Sequence, residues 1–140
     1  MTGIVVFVDS RGGNTRKIAE VIAAEAGTAV GDITDSLPDT AKLVFLGSGT
    51  YGGAPGIGMM KFVTDNDFSG RNVAVFGTSM SPGGAQKMVA AMVDALKRKG
   101  ATVLGTFDCR GKFLLFRRGH PDETDLGNAR AFARDMISKH

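Results

Sequence analysis

The sequence predicts an α/β protein, a three-layer, doubly wound arrangement built on a five-stranded parallel sheet. Three observations predict it. Short runs such as Ile4-Val5-Val6-Phe7-Val8, Leu43-Val44-Phe45-Leu46-Gly47 and Val73-Ala74-Val75-Phe76-Gly77 are apolar on both faces, as strands covered on both sides must be. Between them lie segments whose apolar residues recur at helical spacing. Glycine gathers in the loops that follow strands: 20 of the 140 residues are Gly, about twice ordinary usage. A chain of this length, 43% hydrophobic and 22% charged, fits one domain over residues 1–140.

The elements follow in order. A strand over Ile4 to Val8 leads into a polar, Gly-rich turn from Asp9 to Asn14. A helix from about Thr15 to Ala26 then turns Ile18, Val21, Ile22 and Ala26 inward and leaves Lys17, Glu20 and Glu25 to water. Thr28 to Ile33 is read as a short second strand, interrupted by Gly31-Asp32, and Asp35-Ser36-Leu37-Pro38 as a short connection. The third strand, Leu43 to Gly47, runs into a loop from Ser48 to Gly58 and a short helix around Met59 to Thr64. After the fourth strand, Val73 to Gly77, a stripe of Ala85, Met88, Val89, Met92, Val93 and Leu96 marks a helix. That helix ends in Lys97-Arg98-Lys99-Gly100, cations at the negative end of the dipole and then a glycine suited to the stop. Ala101 to Phe107 is the last strand. A final helix begins near Asp122 with Asp125 as an acidic capping partner, and buries Leu126, Ala129, Ala133, Met136 and Ile137. Strands alternating with helices imply right-handed crossovers and a ligand site beyond the carboxyl ends of the strands.

Several classes of chemistry drop out. The single cysteine, Cys109, cannot build a disulfide framework or a cysteine-ligated cluster within one chain, and a reducing, cytoplasmic setting is expected. A cysteine phosphatase needs an Arg six positions after its nucleophile, where this chain has Leu115; Cys109 is read as packing. A receiver domain needs a phosphoacceptor aspartate at the end of the third strand, where Gly47-Ser48 stands. His120 and His140 are too isolated for a metal site. No apolar run reaches the ~18 residues of a membrane span, and the opening Met1-Thr2-Gly3 has no basic region of the kind a secretory signal carries. The formal charge of +3 permits an acidic partner without demanding nucleic acid.

Three loops remain, each after a strand. In Asp9-Ser10-Arg11-Gly12-Gly13-Asn14-Thr15, backbone N–H groups converge on a helix N-terminus, Ser10 and Thr15 add hydroxyls, Asn14 adds an amide, and the glycines let the chain wrap an anion. A phosphate monoester suits that chemistry; so does a plain tight turn with Ser10 or Thr15 as N-cap. The second loop carries Tyr51, the one tyrosine of a chain without tryptophan, either as a ring that stacks on an aromatic ligand or as a surface tyrosine over Pro55. In the third, Thr78-Ser79-Met80-Ser81-Pro82-Gly83-Gly84, Ser81-Pro82 also reads as an N-cap followed by Pro at the first helical position.

Ser10-x-Gly12-Gly13-Asn14-Thr15 resembles the phosphate loop of the flavodoxins, whose pattern is Ser/Thr-x-Thr-Gly-x-Thr at the end of the first strand. The likeness continues through Gly47-Ser48-Gly49-Thr50-Tyr51-Gly52-Gly53, Gly77-Thr78-Ser79, and Phe107-Asp108-Cys109-Arg110-Gly111 with Gly119-His120-Pro121, similar to the tail of a bacterial and archaeal short-chain subgroup. The resemblance implies the flavodoxin-like strand order 2-1-3-4-5 and non-covalent FMN. It assigns the FMN phosphate to Ser10, Arg11, Gly12, Gly13, Asn14 and Thr15, and the flavin to Ser48, Gly49, Thr50, Tyr51, Gly52 and Gly53 with Thr78, Ser79 and Met80. It makes Tyr51 the stacking aromatic and gives the loop around it a peptide carbonyl able to turn toward N5 of the reduced flavin. Two departures stand out. Gly12 replaces the usual Thr, removing a hydroxyl donor worth roughly 1.5–3 kcal/mol, and the third loop lacks the customary aromatic and acidic residues.

The implied function is an electron carrier rather than a stand-alone enzyme, shuttling electrons between redox partner proteins as a monomer or weak dimer, away from nucleic acid and membranes. Acidic partners suit the positive charge. The segment Arg110 to Arg118, with Phe113, Leu114, Leu115 and Phe116 among four cations, offers either a docking surface for an acidic redox partner or an RNA backbone, or, the favoured reading, a cover for the sheet end. Two other readings stay open at this point: a flavodoxin-fold interaction module with weak or no FMN binding, and a small FMN-dependent reductase of quinone-type acceptors.

Overall fold

The computed structural model describes residues 3–11, 13–79, 83–110 and 123–140. Its elements run β1 (Ile4–Asp9), α1 (Asn14–Ala26), β2 (Val30–Gly31), β3 (Leu43–Gly49), α2 (Ile57–Asp65), β4 (Asn72–Ser79), α3 (Gly84–Arg98), β5 (Thr102–Arg110) and α4 (Glu123–Lys139). The strands form one sheet in the order β2-β1-β3-β4-β5, every adjacent pair parallel, so the doubly wound arrangement holds.

Strand alternation divides the core into two halves. Ile4, Val6 and Val8 of β1, Leu43 and Phe45 of β3, and Ala74 and Phe76 of β4 face α1 and α4, where Ile18, Ile22, Ala129 and Ala133 close the layer. Phe7, Val44, Leu46, Val73 and Val75 point the other way, onto Met59 and Phe62 of α2 and Met88, Met92 and Leu96 of α3. β3 is buried along its whole length, which is why its sequence carries no polar alternation. Cys109, partly buried, packs against the α1–α4 half. Leu126 and Ile137 of α4 are only partly buried there. Among the described residues no helix is long and apolar enough to cross a membrane, and no cluster of potential metal ligands occurs.

The strand ends extend beyond the apolar runs, and four local expectations need correction. β2 is two residues instead of six: it pairs Val30 with Val6 and Gly31 with Phe7. Asp32 then accepts the Thr34 N–H and hydroxyl through Oδ1, at 2.9 and 2.8 Å, turning the chain away from the sheet. Gly31 is there for packing, since a Cβ on it would lie 2.7 Å from the Phe7 ring. α2 begins two residues early, at Ile57, for a reason given below. α1 is capped by Gly13, in the left-handed region at φ 83°, and not by Ser10 or Thr15. α3 starts at Gly84 after a Gly83 cap, so the helix lies beyond Ser81 and Pro82, which with Asp122 lie outside the described residues. The predicted stop of α3 does form: the Gly100 N–H donates to Lys97 O and the Ala101 N–H to Leu96 O.

Candidate functional site

The carboxyl ends of β1, β3 and β4 lie side by side, because Asp9 pairs with Ser48 and Ser48 and Gly49 pair with Gly77 and Thr78. The three odd loops therefore converge at one end of the sheet. At the β1–α1 turn the Gly13 N–H donates to Ser10 Oγ at 3.1 Å, which folds the loop and leaves the serine's own proton available to an acceptor. No side chain caps α1, so its first N–H groups have no side-chain acceptor and the positive end of its dipole lies at this turn.

Thr15, in the first turn of α1, is buried, and its hydroxyl lies 2.6 Å from that of Thr78 at the end of β4. This bond ties the first loop to the third. Thr50 adds a second tie, its hydroxyl donating to Thr78 O at 2.8 Å. Ser48 is fully buried; its hydroxyl donates to Gly49 O and accepts the Gly56 N–H. Ser48 thus holds the second loop from beneath.

That loop is a small hairpin. Tyr51 and Ala54 exchange both backbone hydrogen bonds around Gly52 and Gly53, which have φ of 64° and 80°, the pairing that a two-residue primed turn demands. Tyr51 turns back toward the first loop. Its hydroxyl accepts the Arg11 N–H at 2.9 Å, and the Arg11 guanidinium lies 4.1 Å from the ring centroid, a cation–π contact. A Cβ on Gly49 would come within 2.7 Å of the Tyr51 hydroxyl and 3.5 Å of Thr15 Oγ1, so glycine at this position lets the first two loops close on one another.

Of the expected site residues, Ser10, Arg11, Gly13, Asn14, Thr15, Ser48, Gly49, Thr50, Tyr51, Gly52, Gly53, Thr78 and Ser79 all lie at this end of the sheet. Gly12 and Met80 fall outside the described residues, as does the basic segment beyond Arg110. His140 is remote from the site, its Nδ1 lying 2.8 Å from Ile137 O at the end of α4.

Two residues of the site escape sequence reasoning. Asp9 accepts the Met59 N–H through Oδ2 at 3.0 Å. Its carboxylate thereby supplies, from another strand, the acceptor that α2's own Gly56 cap lacks, and the helix can start at Ile57. Lys87 of α3 approaches Gly53, its Nζ 3.8 Å from where a Cβ on that glycine would stand. The only sequence signal for Asp9 is an acid ending an apolar strand, and for Lys87 there is none.

Together, the sheet, the switch in strand order at β1 and β3, and a glycine-capped turn lined with hydroxyls define a doubly wound α/β protein with a candidate anion site at the topological switch point. The donor set fits a phosphate monoester, and the aromatic hairpin beside it fits a flat ring system. The chain belongs to the flavodoxin family, whose domain matches residues 5–116. It is 29% identical to an uncharacterized protein of Methanocaldococcus jannaschii over 148 aligned residues, covering 98% of this chain and 99% of that one. Among solved structures, flavodoxin 2 from Bacillus cereus is similar with a TM-score of 0.79 and 22% identity, over 98% of this chain and 99% of that chain. A flavodoxin from the domain Archaea gives 0.74 and 21%, over 97% and 96%. At these identities the solved structures speak for the fold.

Proposed function

We propose that the protein binds FMN non-covalently and transfers electrons between redox partner proteins. The observation that carries this reading is the convergence of the Arg11 N–H, the Ser10 and Thr15 hydroxyls and the uncapped start of α1 beside the Tyr51 hairpin. Ser10, Arg11, Gly12, Gly13, Asn14 and Thr15 would hold the phosphate through backbone N–H groups and hydroxyls. Tyr51 would give the isoalloxazine an aromatic face, and the Gly52–Gly53 turn would bring a peptide to its edge. Bound FMN supplies one- and two-electron chemistry.

This chain's part is to bind, orient and shield. No acid–base residue is required of it. The buried Thr15–Thr78 bond and the part-buried Thr50–Thr78 bond tie the loops of the cradle to one another. A cytoplasmic setting and acidic partners fit a chain of +3 charge with one thiol. Titrating the protein with FMN and following quenching of flavin fluorescence tests the proposal. Saturable one-to-one binding at micromolar FMN is expected, and a folded, phosphate-free sample that leaves the fluorescence unchanged rules it out.

A further inference from the structure

We propose that the Tyr51 phenol and the phosphate of the ligand compete for the same donor, the Arg11 N–H, so that phosphate binding releases the tyrosine ring. The inference rests on the FMN reading above. The Tyr51 oxygen accepts the Arg11 N–H at 2.9 Å and stands over Gly49, whose Cβ position lies 2.7 Å from it and 3.5 Å from Thr15 Oγ1. It occupies the mouth of the cradle, in the place where an anion would meet this amide. One N–H makes one strong hydrogen bond, so phenol and phosphate exclude each other there. The anion is the stronger acceptor, because a bond to a charged oxygen is roughly twice as strong as a neutral one. Once displaced, the phenol keeps, among the described residues of the first loop, the Arg11 guanidinium on its ring, and the short hairpin that carries it can turn the ring outward. Tyr51 is thus a positioning residue that sets phosphate affinity and links it to the orientation of the ring.

The chain provides its own reporter, since Tyr51 is its one tyrosine and it has no tryptophan. Full-length protein is titrated with inorganic phosphate at ionic strength held constant with chloride, and tyrosine emission is followed. Tyr51→Phe, which keeps the ring and its contact with Arg11 and loses only the hydroxyl, is then compared with the parent for binding of FMN and of inorganic phosphate. The expected results are a saturable change in tyrosine emission with phosphate, and binding of both probes about three- to tenfold tighter in the variant. A gain in affinity is not something a merely damaged fold produces. Unchanged or weaker binding of both probes by Tyr51→Phe, or phosphate binding without a change in emission, overturns the competition while leaving the FMN reading intact. If phosphate shifts the emission but FMN binds neither protein, the competition stands and the FMN reading falls. If neither probe binds either protein, both are wrong.

Discussion

At the scale of single residues, Asp9 and Gly56 form a matched pair. Asp9 Oδ2 accepts the Met59 N–H, and a Cβ on Gly56 would lie 2.1 Å from that same oxygen. Asp9→Ala should therefore cost about 1–2 kcal/mol, the worth of a good helix cap, and Asp9→Asn should recover most of it because an amide oxygen still accepts. Gly56→Ala should cost about 1–3 kcal/mol through overpacking. The two losses should not add: with the carboxylate gone, the new methyl has room, and urea unfolding of the double variant should show a coupling of at least about 0.5 kcal/mol. Additive losses would mean that the carboxylate does not hold the start of α2. This pair also marks the limit of the sequence reading. The cradle residues from Ser10 to Thr15 are contiguous and were legible as one loop. Asp9 and Met59 meet only because a strand end and a helix start are neighbours in space, and nothing in local spacing announces that.

Among the elements, the Thr15–Thr78 bond joins the start of α1 to the end of β4, two elements that do not follow one another in the chain. Thr78 is buried, so Thr15→Val leaves its hydroxyl without this partner, at a cost of about 1–3 kcal/mol in unfolding free energy. Thr15→Ser should restore it, and FMN affinity should fall and recover in step. β5 gives a pH-dependent prediction at the same scale. Burial raises the Asp108 carboxyl above its ordinary value, so the native state holds this proton to higher pH than the unfolded chain. Stability contributed by the group is present at low pH and is lost as pH rises through the native-state value. Asp108→Asn should thus raise the melting temperature slightly at pH 7, and the gain should vanish below the ordinary carboxylate range, near pH 3.5. The side chain is largely exposed, which keeps the gain small; a loss at pH 7 would show that the charge is favourable where it sits. The elements themselves were legible where burial is complete, as in β3, or confined to one clean face, as in α3. β2 was not, because two residues pairing beside Phe7 leave too short a run for alternation to register. The helix starts were missed for a related reason: glycine caps α1, α2 and α3, and the expected Ser and Thr caps are engaged elsewhere or lie outside the described residues.

For the molecule as a whole, charge decides which partners can approach the site. The parallel topology points the N-termini of α1, α2 and α3 to the end of the sheet that carries the site, and none of the three has an acidic residue in its first turn. Arg11 lies over Tyr51 and Lys87 lies beside Gly53, while Asp9, the acid closest to the site along β1, is turned inward onto the start of α2. Asp108, exposed at the end of β5 beside Gly77, opposes these cations, but with a formal charge of +3 a net positive approach is the expectation, and a field of that sign accelerates anions and retards cations over distances set by the Debye length. Small redox probes read the sign without any knowledge of the natural partner. Bound FMN brings a phosphate that offsets about two of the three charges, so the local cations Arg11 and Lys87 must set the sign; when the FMN-loaded, reduced protein is oxidised by ferricyanide, the rate should fall modestly as ionic strength rises from about 0.01 to about 0.15 M. With hexaammineruthenium(III) it should rise over the same range. Lys87→Gln should flatten both slopes, and Lys139→Gln, at the far end of α4, should flatten them less. Slopes of the opposite sign would mean that the surface seen by a partner is acidic after all, and the expectation of acidic partners would have to be given up even with FMN in place.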